Sequence, residues 1–240
     1  MSKDIFGLAF QDFLAGNTQG KILVDSNVSE QEELPVAYFF RDYKEMPPWE
    51  QLVMDESRGR VLDAGAGAGS HALYLQQKGL DVTAIDISPG SIACMKERGV
   101  EKAVMQDFMK LEDEKFDTLL FLMNGTGIAG RIEKLPTMLK QCACLLSENG
   151  TVYMESTDLL YLFKEEDGSA AINLAGDYYG EIIYQLYYKD VKGDPFRWLF
   201  VDYENLAFMA REQGLHAEPV YRGENDNYVV KLTHIRSSGL

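Results

Sequence analysis

Val61-Leu62-Asp63-Ala64-Gly65-Ala66-Gly67-Ala68-Gly69 decides the fold. Arg60 to Asp63 reads as a short buried strand, and Gly69 to Lys78 as a helix that stops at Gly79. Between them, glycine stands at alternate positions. Glycine lets the chain turn tightly and lets a ligand approach where a Cβ would block it. The helix that starts there offers unpaired N–H groups. The next strand, Asp81 to Asp86, ends on an acid 21 residues after Gly65. An acid at that place can accept both hydroxyls of a ribose.

Outward from this motif, strand and helix alternate. Ser88 is a helix cap and Pro89 a first helical residue, for a helix reaching Arg98. Glu101 to Met105 is a strand, and Phe116 to Met123 is another, apolar almost throughout. Ile132 to Leu145 is helical and Gly150 to Ser156 is a fifth strand. This order predicts an α/β fold: a Rossmann-like, doubly wound, mostly parallel sheet. The ends differ from the middle. Residues 1–57 read as an N-terminal helical cap or lid, with helical spacing from Ile5 to Leu14, a polar stretch from Asp25 to Glu33 and an aromatic run from Val36 to Tyr43. Residues 58–240 form the main domain, with a β-hairpin insertion at about 180–201 made of Glu181 to Lys189 and Phe196 to Val201. Its tyrosines pack as a sheet face, a substrate wall or a dimer interface. Tyr203 to Gln213 is a helix, and Leu215 to Tyr221 and Tyr228 to Thr233 are the last strands.

Asp63 separates two ligand classes that use such a loop. A carboxylate there repels the pyrophosphate of a nicotinamide dinucleotide. It suits a cation, such as the amino group of a methionyl moiety beside a sulfonium, and so favours S-adenosylmethionine over NAD. With these residues the sequence resembles the class I S-adenosylmethionine-dependent methyltransferases of the small-molecule type, well over residues 60–156 and more loosely over 200–234.

The resemblance implies a set of roles. Asp63, Gly65, Gly67 and Gly69 wrap the methionine part, Asp86 holds the ribose, and Ile87 packs on the adenine face. In Gln106-Asp107-Phe108, Asp107 meets the adenine amino group and the Phe108 N–H a ring nitrogen. Asn124, in Phe121-Leu122-Met123-Asn124-Gly125, lies beside the transferred methyl, and Glu148 to Val152 forms the turn into the fifth core strand. Tyr228 to Thr233 supplies an antiparallel last strand. His71 comes near the methionine carboxylate. The aromatic run implies a lid, with Arg41 on that carboxylate and Tyr38 or Tyr43 lining the methyl channel. The weak candidates for a catalytic group are Asn124, Tyr38 and Tyr43. The implied activity is in-line methyl transfer to a small molecule. An NAD-dependent oxidoreductase, or a non-catalytic S-adenosylmethionine-binding protein, are the alternatives.

The whole chain narrows this further. It has 240 residues and a formal net charge of -15, from 38 acidic and 23 basic residues. A phosphate backbone or an anionic membrane is repelled by such a surplus, so neither is an expected partner. Asn124-Gly125-Thr126-Gly127 also departs from the Asn or Asp, two prolines and aromatic of the family's amino-methylating nucleic-acid enzymes. His71, His216 and His234 lie far apart without ligand spacing, so no metal is expected. Cys94, Cys142 and Cys144 form no Cys-x-x-Cys pair, and no signal peptide or long apolar run is present. The expectation is a cytoplasmic monomer or homodimer.

Overall fold

The structure is a computed structural model that describes residues 3–164 and 176–236. The chain opens with helix α1 (Ile5–Leu14), capped by Asp4, whose side chain accepts from the Gly7 N–H at 2.9 Å. Strands β1 (Lys21–Ser26) and β2 (Glu32–Pro35) then pair antiparallel, with Ile22 opposite Leu34. Val36–Phe40 and Tyr43–Glu45 are short 3-10 turns, and α2 (Pro48–Glu56) starts on a proline, whose fixed φ suits a first helical turn. The alternation follows: β3 (Arg60–Ala64), α3 (Ser70–Gln77), β4 (Asp81–Asp86), α4 (Pro89–Glu97), β5 (Ala103–Met105), β6 (Phe116–Phe121), α5 (Leu135–Leu145) and β7 (Leu146–Thr157). The last third holds β8 (Glu181–Tyr188), β9 (Val191–Lys192), β10 (Phe196–Leu199), α6 (Tyr203–Glu212), β11 (Leu215–Arg222) and β12 (Asn227–His234).

The main sheet has seven strands in the order β11-β12-β7-β6-β3-β4-β5. β3, β4 and β5 run parallel, as do β6 and β7, while β12 is antiparallel to both β7 and β11. This is the expected doubly wound architecture with its antiparallel last strand. A second sheet has the order β10-β8-β1-β2, with β9 on β8. No helix among the described residues is long and apolar enough to cross a membrane.

Two local readings need correction. Residues 1–57, read as a helical cap, also hold a strand pair: the polar stretch Asp25 to Glu33 spans the end of β1, a turn and the start of β2. Ser26 Oγ closes that turn by accepting from the Ser29 N–H at 2.9 Å. On its other edge β1 pairs with β8, where Leu23 faces Tyr187 and Val24 faces Leu186. Nothing near Asp25 in the chain signals that partner. The long strand before Thr157 begins at Leu146 rather than at Gly150, with its register to β6 shifting between Phe116 and Thr118.

The chain divides into two compact units: Met1–Glu112 with Ile183–Phe196, and Asp113–Ile182 with Arg197–Leu240. Residues 1–57 thus group with the glycine loop. In the first unit, Ile5, Ala9 and Phe10 of α1 pack with Ile22, Leu186, Tyr188, Cys94 and the loop residue Ala68. α1 crosses α4 at glycine: a Cβ on Gly90 would lie 2.2 Å from the Gly7 Cα. Burying this apolar surface supplies the main driving force for the unit. In the second unit, Leu119, Leu120, Leu139, Val152, Met154, Leu206, Val229 and Val230 are fully buried.

Candidate functional site

Gly65, Gly67 and Gly69 all have positive φ, at 73°, 57° and 83°. Side chains with a Cβ resist that region, so the loop needs glycine there. The N–H groups of Gly65 and Ala66 donate to the Ile85 carbonyl at 2.9 and 3.0 Å. The Gly67 N–H donates to Asp86 Oδ2 at 2.9 Å, and the Ser88 N–H to Asp86 Oδ1 at 2.8 Å. Burial pushes the Asp86 carboxyl above the ordinary aspartate range, and those two N–H groups offset part of it.

The loop is also held from behind. Arg98, which caps α4, donates to the Ala68 carbonyl at 2.6 Å and to Ser70 Oγ at 3.1 Å. Its guanidinium lies 4.8 Å from the Phe40 ring centroid, and Ser70 Oγ donates to the Phe39 carbonyl at 2.7 Å. The aromatic segment is thereby fastened to the first turn of α3.

A buried set of charges stands at the same end of the first unit. Asp63 is 3% exposed, and its Oδ2 has no hydrogen-bond partner, while the Ala72 N–H bonds to its carboxylate. Burial and the charge of Asp86 raise its pKa, against the pull of His71. His71 is 8% exposed, with Nε2 2.8 Å from Glu50 Oε2. Arg41, 6% exposed, donates to Glu50 and to the Tyr38 carbonyl, and stacks 4.0 Å from the Tyr38 ring centroid. Burial opposes charge on Glu50, but the bonds and charges of His71 and Arg41 outweigh it and hold its carboxyl below the usual range. Burial likewise opposes charge on His71, and Glu50 and Asp63 together outweigh it and raise the imidazole. Arg41, expected to be available to a carboxylate, is thus already engaged; its Nε is left without a partner.

The residues expected at the adenine lie where β4 and β5 end. Asp86 is paired with Met105, and the Gln106 N–H donates to the Asp86 carbonyl at 3.0 Å. Ile87 is 75% exposed, Phe108 is buried, and Asp107 caps the short turn Phe108–Lys110 by accepting from the Met109 N–H at 2.9 Å. Of the tyrosines, Tyr38 is exposed, with Arg41 over its ring. Tyr43 donates its hydroxyl to Asp55 at 2.7 Å and stacks on Tyr74 at 4.3 Å; the bond to Asp55 raises its phenol to about 12.

Asn124 belongs to the second unit. It follows Met123 in the left-handed region, with φ of 55° and 56°. Thr157 Oγ1 donates to its side-chain oxygen at 2.8 Å, and Trp198 Nε1 to its carbonyl at 3.0 Å. The turn that ends the fourth core strand is therefore rigidly held.

The first unit brings together Asp63, Gly65, Gly67, Gly69, His71, Asp86 and Arg41. Sequence reading missed Glu50, Arg98 and Asp4. Glu50 alone left a signal. It shares the buried stripe of α2 with Val53 and Met54, an acid where the helical spacing asks for an apolar residue.

A family model described as a methyltransferase domain matches residues 62–154. No curated protein matches the chain. Among solved structures, a SAM-dependent methyltransferase from Bacteroides fragilis in complex with S-adenosyl-L-homocysteine is 41% identical, with a TM-score of 0.90. The match covers 98% of this chain and 96% of that one. The CcbJ methyltransferase from Streptomyces caelestis is 17% identical with a TM-score of 0.63, covering 81% of this chain and 95% of that one. A S-adenosylmethionine-dependent methyltransferase from Clostridium acetobutylicum is 15% identical with a TM-score of 0.60, over 81% and 92%. These last two are similar in fold alone.

Proposed function

Because the chain belongs to the S-adenosylmethionine-dependent methyltransferases, we propose that it methylates a small-molecule acceptor by in-line displacement. The observation that carries this reading is Asp63 Oδ2, a buried carboxylate oxygen without a partner, on the strand that runs into the glycine loop. An unpaired buried acceptor is costly, and an ammonium group relieves it. When bound, the donor supplies a methyl already activated on a sulfonium.

The chain's own residues then have to bind, align and exclude water. Asp63 takes the ammonium, and Asp86, fixed by the Gly67 and Ser88 N–H groups, accepts from the ribose hydroxyls. Gly65, Gly67 and Gly69 leave the backbone open to approach. Ile87 offers an exposed apolar face to the adenine ring, and Asp107 with the Phe108 N–H reads the adenine edge. Arg41 and His71 face the carboxylate. Tyr38, which is exposed, lines the acceptor channel. Tyr43 is left out, since its hydroxyl is committed to Asp55. Asn124 is held rigidly enough to orient an acceptor. A general base is required only where the acceptor carries a proton that must leave.

A small-molecule acceptor is supported by the net charge of -15 and by the glycine-rich turn after Asn124. Cys94, Cys142 and Cys144 are free, which suits the reducing cytoplasm. Calorimetry with S-adenosylmethionine, S-adenosylhomocysteine and NAD tests the reading. Binding of the first two with none of NAD is expected, and binding of NAD alone overturns it. Methyl transfer measured across classes of metabolite then identifies the acceptor.

A further inference from the structure

Glu50 is 1% exposed, yet its carboxylate is divided between a guanidinium and an imidazole. It bonds the Arg41 guanidinium and the His71 imidazole, the latter at 2.8 Å. Arg41 lies between the two short turns of the aromatic segment, and His71 lies in the first turn of α3, directly after Gly69. One acid on α2 thus cross-links the aromatic segment to the helix that begins at the glycine loop. Three charged groups have been withdrawn from water for this, an arrangement that apolar residues of similar volume would match or better for stability alone. Asp63 is buried beside the same set, and its charge favours the protonated form of His71. Two polar atoms of the set remain unpartnered: Arg41 Nε, a donor, and Asp63 Oδ2, an acceptor. A carboxylate and an ammonium on one carbon ask for that combination.

We propose that Glu50 is a positioning residue for the amino-acid head of the methyl donor: it fixes the Arg41 guanidinium and the His71 imidazole together for the carboxylate, while Asp63 takes the ammonium. This rests on the reading that the glycine loop binds S-adenosylmethionine. Glu50 touches no ligand itself; it acts through Arg41 and His71.

The test compares two ligands on the full chain by calorimetry. S-Adenosylhomocysteine carries the amino-acid head, and 5′-methylthioadenosine keeps the adenosine thioether without it. For Glu50→Gln, affinity for S-adenosylhomocysteine falls about tenfold or more, while that for methylthioadenosine stays within about twofold. Equal losses for both ligands mean a merely structural role and overturn the proposal, as does a variant that discriminates as the wild type does. A wild type that binds both ligands equally overturns the reading beneath it instead. Should Glu50→Gln fail to fold, ring-nitrogen NMR of His71 in the wild type decides. S-Adenosylhomocysteine shifts the signals and methylthioadenosine does not; equal shifts, or none, overturn the proposal.

Discussion

Asp86 is held in place by the backbone of the loop it serves. Gly67 and Ser88 each donate an N–H to it, at 2.9 and 2.8 Å, so its carboxylate is oriented before any ligand arrives. Asp86→Ala is expected to weaken S-adenosylhomocysteine binding by about 1–3 kcal/mol, measured by calorimetry, through loss of charged hydrogen bonds. The pH dependence has a definite sign. Burial raises the Asp86 pKa above its ordinary 3.8, and in the proposed role ribose hydroxyls donate to the ionised form. Affinity is therefore full above the raised pKa and falls by up to about tenfold per pH unit below it, starting at a higher pH than a free aspartate would give. The group's contribution to the stability of the ligand-free chain runs the other way: it is present below the ordinary value and lost as pH rises through the folded one. Calorimetry across that range checks the first and thermal melts the second. Asp63, Asp86 and the three loop glycines were legible in the sequence because their constraint is local: a strand, a tight turn and a helix start. Glu50 was not, since its partners lie 9 and 21 residues away and only the folded chain brings them to it.

Helices α1 and α4 meet at Gly7 and Gly90, and Asp4 serves both. Its carboxylate caps α1 through the Gly7 N–H and also accepts from the Gly90 N–H and the Ser88 hydroxyl, each at 2.8 Å. A Cβ on Gly90 would meet the Gly7 Cα at 2.2 Å, so backbone has to move. Gly90→Ala is expected to cost about 1–3 kcal/mol, read as a lower Tm. The alternating elements from β3 to α4 could be read from the sequence, because apolar period, caps and glycine stops agree there. Ser88 and Pro89 mark the start of α4 as anticipated. The pairing of β1 with β8 could not be read, because that partner lies far along the chain. Likewise, the Tyr-rich strand looks like half of a hairpin, yet its second edge is taken by β1.

Over the whole molecule, the surplus of acids has one measurable effect. With a net charge of -15, the protein is expected to stay unbound to duplex DNA in an anisotropy titration at about 0.15 M salt. Saturable binding there would call for a local basic surface. The second sheet has a consequence in time. β1 leaves the ribosome early, but Leu186 and Tyr188, which complete its core beside Ile22 and Phe10, are made near the end. At about 5–20 residues per second the interval is on the order of ten seconds. During it the apolar face of α1 lacks the part of its cover that β8 supplies, and a nascent chain in that condition is a natural client for chaperones. The segment synthesised first is among the last to be finished.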